Sequence, residues 1–82
     1  MKNPFGIILF GKHLRNLRQE RNWSQQELAD TANLAKTTIQ RIENAKFIVS
    51  LDVLISISEA LQIPLKVLVD FPINQPDAIH TH

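Results

Sequence analysis

The segment WSQQELADTANLAKTTIQRIE, residues 23–43, constrains the fold most, because it predicts two short helices joined by a tight turn. Ser24 followed three residues later by Glu27 is a capping box. The serine oxygen accepts a hydrogen bond from the third helical amide, and the glutamate carboxylate accepts one from the cap amide. A helix is therefore expected to begin at Gln25. Asn33 suits the turn, because asparagine tolerates the left-handed backbone conformation. The chain is expected to reverse direction there.

Apolar residues in this segment recur at helical spacing and predict the inward face of each helix. They are Leu28, Ala29 and Ala32 in the first helix and Leu34, Ile39 and Ile42 in the second. The outward face of the second helix carries Lys36, Thr37, Gln40 and Arg41. Arg and Lys match guanine acceptors and Gln matches adenine, whereas a merely solvated helix usually carries Glu and Lys. The pattern favours a helix that reads DNA bases over a solvated face.

Two other residues of the segment are candidates for phosphate contacts. Gln25 lies in the first turn of its helix, where free amides and the positive end of the dipole favour an anion; its alternative role is an ordinary surface residue. For Thr38 two roles are expected as alternatives: its hydroxyl contacts a phosphate, or its methyl group packs against the preceding helix. Trp23 is expected to pack over the junction of the first two helices rather than to stack on a base.

The net charge of +1 conceals an uneven distribution along the chain. Residues 1–46 contain eight basic and four acidic side chains, whereas residues 47–82 contain one basic and four acidic side chains. The basic part also carries the predicted helix pair. A polyanion is therefore expected to be attracted to one side of the molecule.

Helical periodicity continues on both sides of the segment. Phe10, Leu14 and Leu17 predict a first amphipathic helix over about residues 7–21. Ser50 is expected to cap a fourth helix over residues 51–62, although alternating β-branched residues there also resemble a strand. The helix is favoured because its apolar period persists and a lone strand would have no partner. Pro64 predicts a short fifth helix over residues 65–70.

Composition disfavours several functional classes. The chain has no cysteine, which fits a cytoplasmic location. Its longest apolar run, residues 7–10, is far shorter than the roughly 20 residues of a membrane-spanning helix, and no cleavable signal is expected. His13 has no nucleophile or carboxylate partner at a recognisable spacing, so an enzyme is not expected. No cofactor is expected, and His80 and His82 lack the third ligand of a metal site.

Arg18 and Glu43 are expected to serve the structure rather than a ligand. Arg18 projects from the first helix near the end of the third, where Glu43 follows the core residue Ile42. We therefore predict a partly buried ion pair between them.

Three blocks in this order resemble the phage repressor and Cro type of helix-turn-helix, the XRE family. The blocks are LRNLRQERNWSQQELA, NLAKTTIQRIENAK and SLDVLISISEALQIPLKVL, and the resemblance extends over about residues 10–70. It implies an all-α fold, a compact five-helix bundle of the lambda-repressor-like DNA-binding type. Its third helix enters the major groove and its second crosses the backbone. Residues 1–71 would form the helix-turn-helix DNA-binding domain and residues 72–82 a flexible C-terminal tail.

The resemblance also implies roles for individual residues. Bases would be approached by Lys36, Thr37 and Arg41, with help from Gln40. The DNA backbone would be contacted by Gln25, Asn44 and Lys46, and an Arg18–Glu43 bridge would be structural. The chain departs from the family pattern at Asn33 and Ala45, where glycine is frequent, and at Ala35, where a Ser or Thr cap is common. We therefore expect a third helix without its usual cap and an exit loop of altered shape.

We expect a sequence-specific transcriptional regulator that binds double-stranded DNA as a homodimer on an inverted repeat. One domain presents little surface for tight specific binding, whereas a two-fold dimer places two recognition helices about 34 Å apart, one turn of DNA. The dimer interface is expected at Val67 and Val69. The aliphatic stretch at residues 7–9, unusual before the first helix, is a second candidate, or it extends the core.

The alternative is a protein-interaction module, such as the antitoxin of a toxin–antitoxin pair, with an exposed apolar contact at Phe47, Ile48 and Val49. A restriction-modification controller protein is a further possibility. A neighbouring toxin gene would favour the antitoxin, and a restriction-modification operon would favour the controller.

Overall fold

Helices joined by short connections make up the described structure. The computed structural model describes residues 4–71, and within this range the chain forms five α-helices and no strand. They are α1 (Pro4–Glu20), α2 (Gln25–Ala32), α3 (Lys36–Glu43), α4 (Leu51–Leu61) and α5 (Leu65–Leu68). The predicted all-α, five-helix fold is confirmed. The predicted tail, residues 72–82, lies outside the described residues together with His80 and His82, and the domain boundary there stays a prediction.

Side-chain caps explain where two of the helices begin. The Ser24 hydroxyl accepts a hydrogen bond from the Glu27 amide at 3.0 Å, and the Glu27 carboxylate accepts one from the Ser24 amide at 2.7 Å, so the capping box is formed. At the start of α4, the Ser50 hydroxyl accepts a hydrogen bond from the Val53 amide at 3.2 Å. This cap favours helix over strand in a segment rich in β-branched residues.

Two helix boundaries differ by more than one residue from the sequence expectation. α1 begins at Pro4 rather than near residue 7, because proline is favourable in a first helical turn, where its missing amide loses no hydrogen bond. The expectation that residues 7–9 precede the first helix is therefore wrong, since they lie within α1. α5 is shorter than expected and ends at Leu68, with Val69 as its C-cap.

Within residues 4–71, four non-glycine residues after helix ends have a left-handed backbone: Asn22, Asn33, Ala45 and Gln62, each with φ of 58° or 59°. Asparagine adopts this conformation readily, as predicted at Asn33. For other L-residues it costs about 1 to 2 kcal/mol, because Cβ approaches the following carbonyl oxygen. The loop after α3 thus has, at Ala45, the backbone conformation that a glycine would favour.

Ala45→Gly is expected to raise the free energy of unfolding by about 1 kcal/mol, because glycine removes the left-handed strain at a smaller cost in unfolded-chain entropy. Ala45→Asn should give an intermediate gain. Urea unfolding of the three proteins measures both differences. A decrease for Ala45→Gly would mean that the alanine methyl group stabilises the fold more than its backbone conformation strains it.

The core brings all five helices together. Its fully buried large side chains are Leu14, Leu28, Ile39, Ile42, Ile57 and Leu68. α1 approaches the end of α3 closely at Gly11, where a Cβ atom would lie 2.5 Å from the backbone oxygen of Ile42. Only glycine permits this contact without displacing backbone, so Gly11 fixes α3 against α1. No helix within residues 4–71 is long and apolar enough to cross a membrane.

Candidate nucleic-acid interface

One face of α3 is buried and the opposite face is polar. Ile39 and Ile42, at most 1% exposed, hold the helix on the core. The predicted base-reading residues lie on the other face, with Lys36, Thr37 and Arg41 exposed and Gln40 half-buried. These four residues, the polar strip of α3, are spaced one, three and four residues apart, so they form one continuous surface. A single helix with such a surface fits a major groove about 12 Å wide.

The loop after α3 extends the polar strip. The Asn44 amide donates to the Gln40 carbonyl oxygen at 2.9 Å, and the Lys46 amide donates to that of Arg41 at 2.7 Å. Both side chains are exposed. The hydrogen bonds hold Asn44 and Lys46 beside the end of the strip. Thr38, on α3 itself, is half-buried.

The turn between α2 and α3 is tight and left-handed, as predicted. Asn33 has φ 59° and ψ 44°, and its amide donates to the Ala29 and Asp30 carbonyl oxygens. The next amide, of Leu34, donates to the Ala29 carbonyl oxygen at 2.8 Å. These bonds fix α2 relative to α3. Ala35 then precedes α3 without a side-chain cap, as expected from the sequence.

A cluster of charged and amide side chains joins α1, α2 and α3. We call Arg15, Arg18, Gln25 and Glu43 the Glu43 cluster. The Glu43 side chain is fully buried. Arg18 donates a hydrogen bond to each carboxylate oxygen, from Nε to Oε2 at 2.7 Å and from Nη2 to Oε1 at 3.0 Å. The Gln25 side-chain amide donates to Oε1 at 3.0 Å, and Arg15 Nε donates to the same oxygen at 3.3 Å. The predicted ion pair is present and is almost completely buried.

The cluster keeps Glu43 ionised. Burial alone raises the pKa of Glu43, but the hydrogen bonds from Arg18, Gln25 and Arg15 and the charge of Arg18 outweigh it, so the pKa lies below its ordinary value. The hydrogen bond to Glu43 raises the pKa of Arg18 despite an opposing effect of burial. Both partners are therefore charged at neutral pH.

Sequence reasoning missed the structural roles of Arg15, Arg21 and Gly11. Arg21 donates to the Leu17 carbonyl oxygen at 2.9 Å and to that of Leu61 at 3.0 Å, so it ties α1 to the end of α4. An isolated glycine within a helical pattern was a usable signal for close packing at Gly11. The arginine contacts join residues far apart in the chain, and helical periodicity carries no signal for them.

Two aromatic residues considered for binding or catalysis belong to the packing. Trp23 packs against the core, and its carbonyl oxygen accepts a hydrogen bond from Arg18 at 2.7 Å. The His13 ring packs beside those of Phe10 and Phe71, with centroid distances of 6.5 and 5.4 Å. In the part of the chain that the structure describes, no group of three or more His, Cys, Asp or Glu residues could hold a metal ion.

An apolar groove of about 360 Å³ connects the predicted protein-contact regions. Its lining includes Ile7, Phe47, Ile48, Val49 and Val69. Ile48 is 58% exposed and Val69 is 42% exposed, whereas Phe47 and Val49 pack partly against the core. Val67 is also 42% exposed. The two candidate dimer regions and the alternative protein contact thus border one surface.

Comparisons with known proteins agree on one family. A protein-family model described as Helix-turn-helix matches residues 14–68. Control protein C.BamHI from Bacillus amyloliquefaciens is 42% identical over 65 residues, which cover 78% of this chain and 80% of that protein. Proteins of Pyrococcus furiosus and Pyrococcus horikoshii, named provisionally as HTH-type transcriptional regulatory proteins, are each 33% identical over 64 residues. The chain spans only 20% of the length of these two relatives.

Solved structures give the same result. The crystal structure of the restriction-modification controller protein C.AhdI from Aeromonas hydrophila matches with a TM-score of 0.73 and 31% identity, over 76% of this chain and 94% of that chain. The hypothetical transcription factor NHTF from Neisseria matches with a TM-score of 0.75 and 24% identity, over 80% of this chain and 76% of that chain. At this lower identity the second match supports the fold alone.

Proposed function

The chain belongs to the helix-turn-helix family of XRE type, and we propose that it is a sequence-specific transcriptional regulator that binds double-stranded DNA. α3 enters the major groove and α2 crosses the DNA backbone. One observation carries the proposal: the polar strip of α3 is presented to solvent by a helix whose other face is buried in the core. A rigid helix with exposed donors and acceptors can read base edges without first becoming ordered.

The proposed contacts divide into base readers and phosphate binders. Lys36, Thr37, Gln40 and Arg41 read base edges in the groove. Gln25, Thr38, Asn44 and Lys46 contact phosphates, which position the protein but carry little sequence information. The excess of basic residues in the first part of the chain supports this arrangement, because it attracts a polyanion to the side that carries α2 and α3.

We further propose that the protein binds DNA as a homodimer on an inverted repeat. Two recognition helices related by a two-fold axis would lie about 34 Å apart and enter successive major grooves on one side of the duplex. The exposed Val67 and Val69 and the apolar groove beside Val69 support an interface at this end of the molecule. Burial of this apolar surface would provide the free energy of dimerisation.

Control of a restriction-modification system is the proposed biological setting, with action on DNA in the cytoplasm. C.BamHI and C.AhdI support it, because this chain matches both over most of their own length. The antitoxin alternative predicts a neighbouring toxin gene. Genes for a restriction enzyme and a methyltransferase beside the coding sequence would favour the controller.

Arg41→Ala is expected to weaken binding to the best site by about 1 to 3 kcal/mol and to relax the base preference at one position of each half-site. Gln25→Ala, the matched phosphate-contact variant, should weaken binding to every sequence alike. Selection from a random DNA pool identifies the best site, and titrations on that site and on mixed-sequence DNA measure both effects.

Two outcomes of this experiment would change the proposal. Equal weakening of selected and mixed DNA by Arg41→Ala would assign Arg41 to a phosphate and leave Lys36 and Thr37 as base readers. Failure of the wild-type protein to enrich any sequence would contradict sequence-specific binding.

A further inference from the structure

Arg15 is the member of the Glu43 cluster that faces solvent. Its side chain is 43% exposed, whereas that of Arg18 is 11% exposed and that of Glu43 is fully buried. Arg15 lies on α1, whereas the proposed DNA contacts lie on α2, on α3 and in the loop after α3. It is therefore a charged group at the surface that the proposed function does not yet use.

Most of the hydrogen-bonding capacity of Arg15 is available for a ligand. Arg18 already binds both oxygens of Glu43. Arg15 donates through Nε alone, at 3.3 Å, and a guanidinium carries four further N–H donors on its terminal nitrogens. Within residues 4–71 those terminal donors have no hydrogen-bond partner. They can therefore bind an acceptor without breaking the contact to Glu43.

The cluster also carries an excess of positive charge at Arg15. Two guanidinium groups share one carboxylate, and the better bonds to that carboxylate come from the buried Arg18. The uncompensated charge therefore belongs to the exposed Arg15. An anion at this position would meet a cation that is already held in place by Glu43.

Arg15 lies next to the proposed phosphate contact of α2. Arg15 Nε and Gln25 Nε2 donate to the same atom, Glu43 Oε1, at 3.3 and 3.0 Å. The distance between the two nitrogens therefore cannot exceed the sum of these two distances. A phosphate contacted by Gln25 is consequently within reach of the Arg15 guanidinium.

We propose that Arg15 binds the DNA phosphate that Gln25 contacts. A positive charge from α1 then reinforces the contact that α2 makes with the DNA backbone. The planar fork of a guanidinium matches the oxygens of a phosphate, and its hydrogen bonds there are charge-assisted. Glu43 is the positioning residue, since one of its oxygens orients both side chains. The inference rests on the proposed function, because it requires that the protein binds DNA.

The test compares two neutralised positions on α1. Arg15→Met removes the charge and keeps an apolar stem, and Lys12→Met is the matched control. Lys12 is exposed on the same helix but lies beside Leu9 and His13, outside the Glu43 cluster. Affinity for a short duplex of mixed sequence is measured over a range of salt concentrations, and urea unfolding of each variant is measured in parallel.

Arg15→Met is expected to weaken binding about tenfold at low salt. The plot of log affinity against log salt concentration has a negative slope, and its magnitude should fall by about 0.9 for each bound protomer, the value for one phosphate contact. Lys12→Met should leave the slope unchanged. Arg15→Lys should retain most of the slope, because the charge remains.

Three outcomes separate this inference from the proposed function. An Arg15→Met slope equal to that of the wild type overturns the inference, whatever its stability in urea, since a structural ion pair does not change the number of phosphates neutralised. If Lys12→Met lowers the magnitude of the slope as much as Arg15→Met does, the inference is also overturned. The effect would then come from the loss of any positive charge on α1 and not from a phosphate contact at Arg15. Absence of salt-dependent binding by the wild-type protein overturns the proposed function itself.

Discussion

Glu43→Gln is expected to lower the free energy of unfolding at neutral pH by about 3 to 5 kcal/mol. Glutamine has nearly the same shape, but it leaves the buried guanidinium of Arg18 without a counter-charge. Removing one partner of a buried ion pair is costly because the remaining charge stays desolvated. Domains of this kind are stable by only about 5 to 15 kcal/mol in total, so the variant should be close to unfolding at room temperature. Urea unfolding measures the difference.

The effect of Glu43→Gln should depend on pH. The folded-state pKa of Glu43 lies below its ordinary value, so the unfolded chain binds more protons at this residue as the solution becomes acidic. Its contribution is complete above the ordinary pKa of glutamate and is lost as the pH falls through the lower folded-state pKa. The stability difference between wild type and Glu43→Gln should therefore shrink on acidification. A difference that stays constant down to acidic pH would contradict stabilisation by the ionised carboxylate.

Two control variants separate burial from charge. Glu59→Gln removes an exposed carboxylate on α4 and should change stability by less than about 0.5 kcal/mol. The double variant Arg18→Met/Glu43→Leu replaces the pair with apolar groups and should recover most of the stability. It should nevertheless bind DNA less tightly than wild type, because Arg15 and Gln25 lose the acceptor that orients them. Recovery of full affinity would exclude a positioning role for Glu43.

Local signals predicted most of the fold. The capping box at Ser24 and Glu27, the left-handed turn at Asn33 and the cap at Ser50 act between residues close in the chain, so their effect can be read from sequence alone. The two errors lie at helix ends, where sequence signals are weakest. Pro4 is favourable in a first helical turn, so α1 begins earlier than its apolar period, and at Val69 the helix ends before the periodic pattern does.

The site was predictable in part, for a different reason. Helical periodicity assigned the buried and exposed faces of α3, because side-chain direction follows from position in a regular helix. Contacts between helices were harder to foresee. The pairing of Arg18 with Glu43 was predicted with help from a family resemblance, but the convergence of Arg15 and Gln25 on one carboxylate oxygen depends on how α1 crosses α3. That crossing is set by three-dimensional packing, including the close approach at Gly11.

Val69→Asp and Val67→Asp are expected to convert the proposed homodimer into a folded monomer. Both valines are 42% exposed, so the protomer itself tolerates the change. At a two-fold axis each new carboxylate meets its own symmetry mate where water is excluded, which costs several kcal/mol. Sedimentation at micromolar concentration measures the change. A monomer places only one recognition helix on the operator, so specific binding should fall to the level of mixed DNA, a loss of about a thousandfold or more.

Substitutions around the apolar groove identify the interface by their pattern. Val69→Thr keeps the branched shape without charge and should remain dimeric. If Val69→Thr is monomeric, the loss of the dimer in Val69→Asp results from altered packing rather than from charge repulsion. Ile7 and Val69 line the groove, but Val67 does not. If Ile7→Asp and Val69→Asp are monomeric and Val67→Asp is not, the groove is the interface. If the two valine variants are monomeric and Ile7→Asp is not, the subunits meet through α5. If the wild-type protein is itself monomeric at this concentration, the dimer forms only when the protein is bound to DNA, or it does not form.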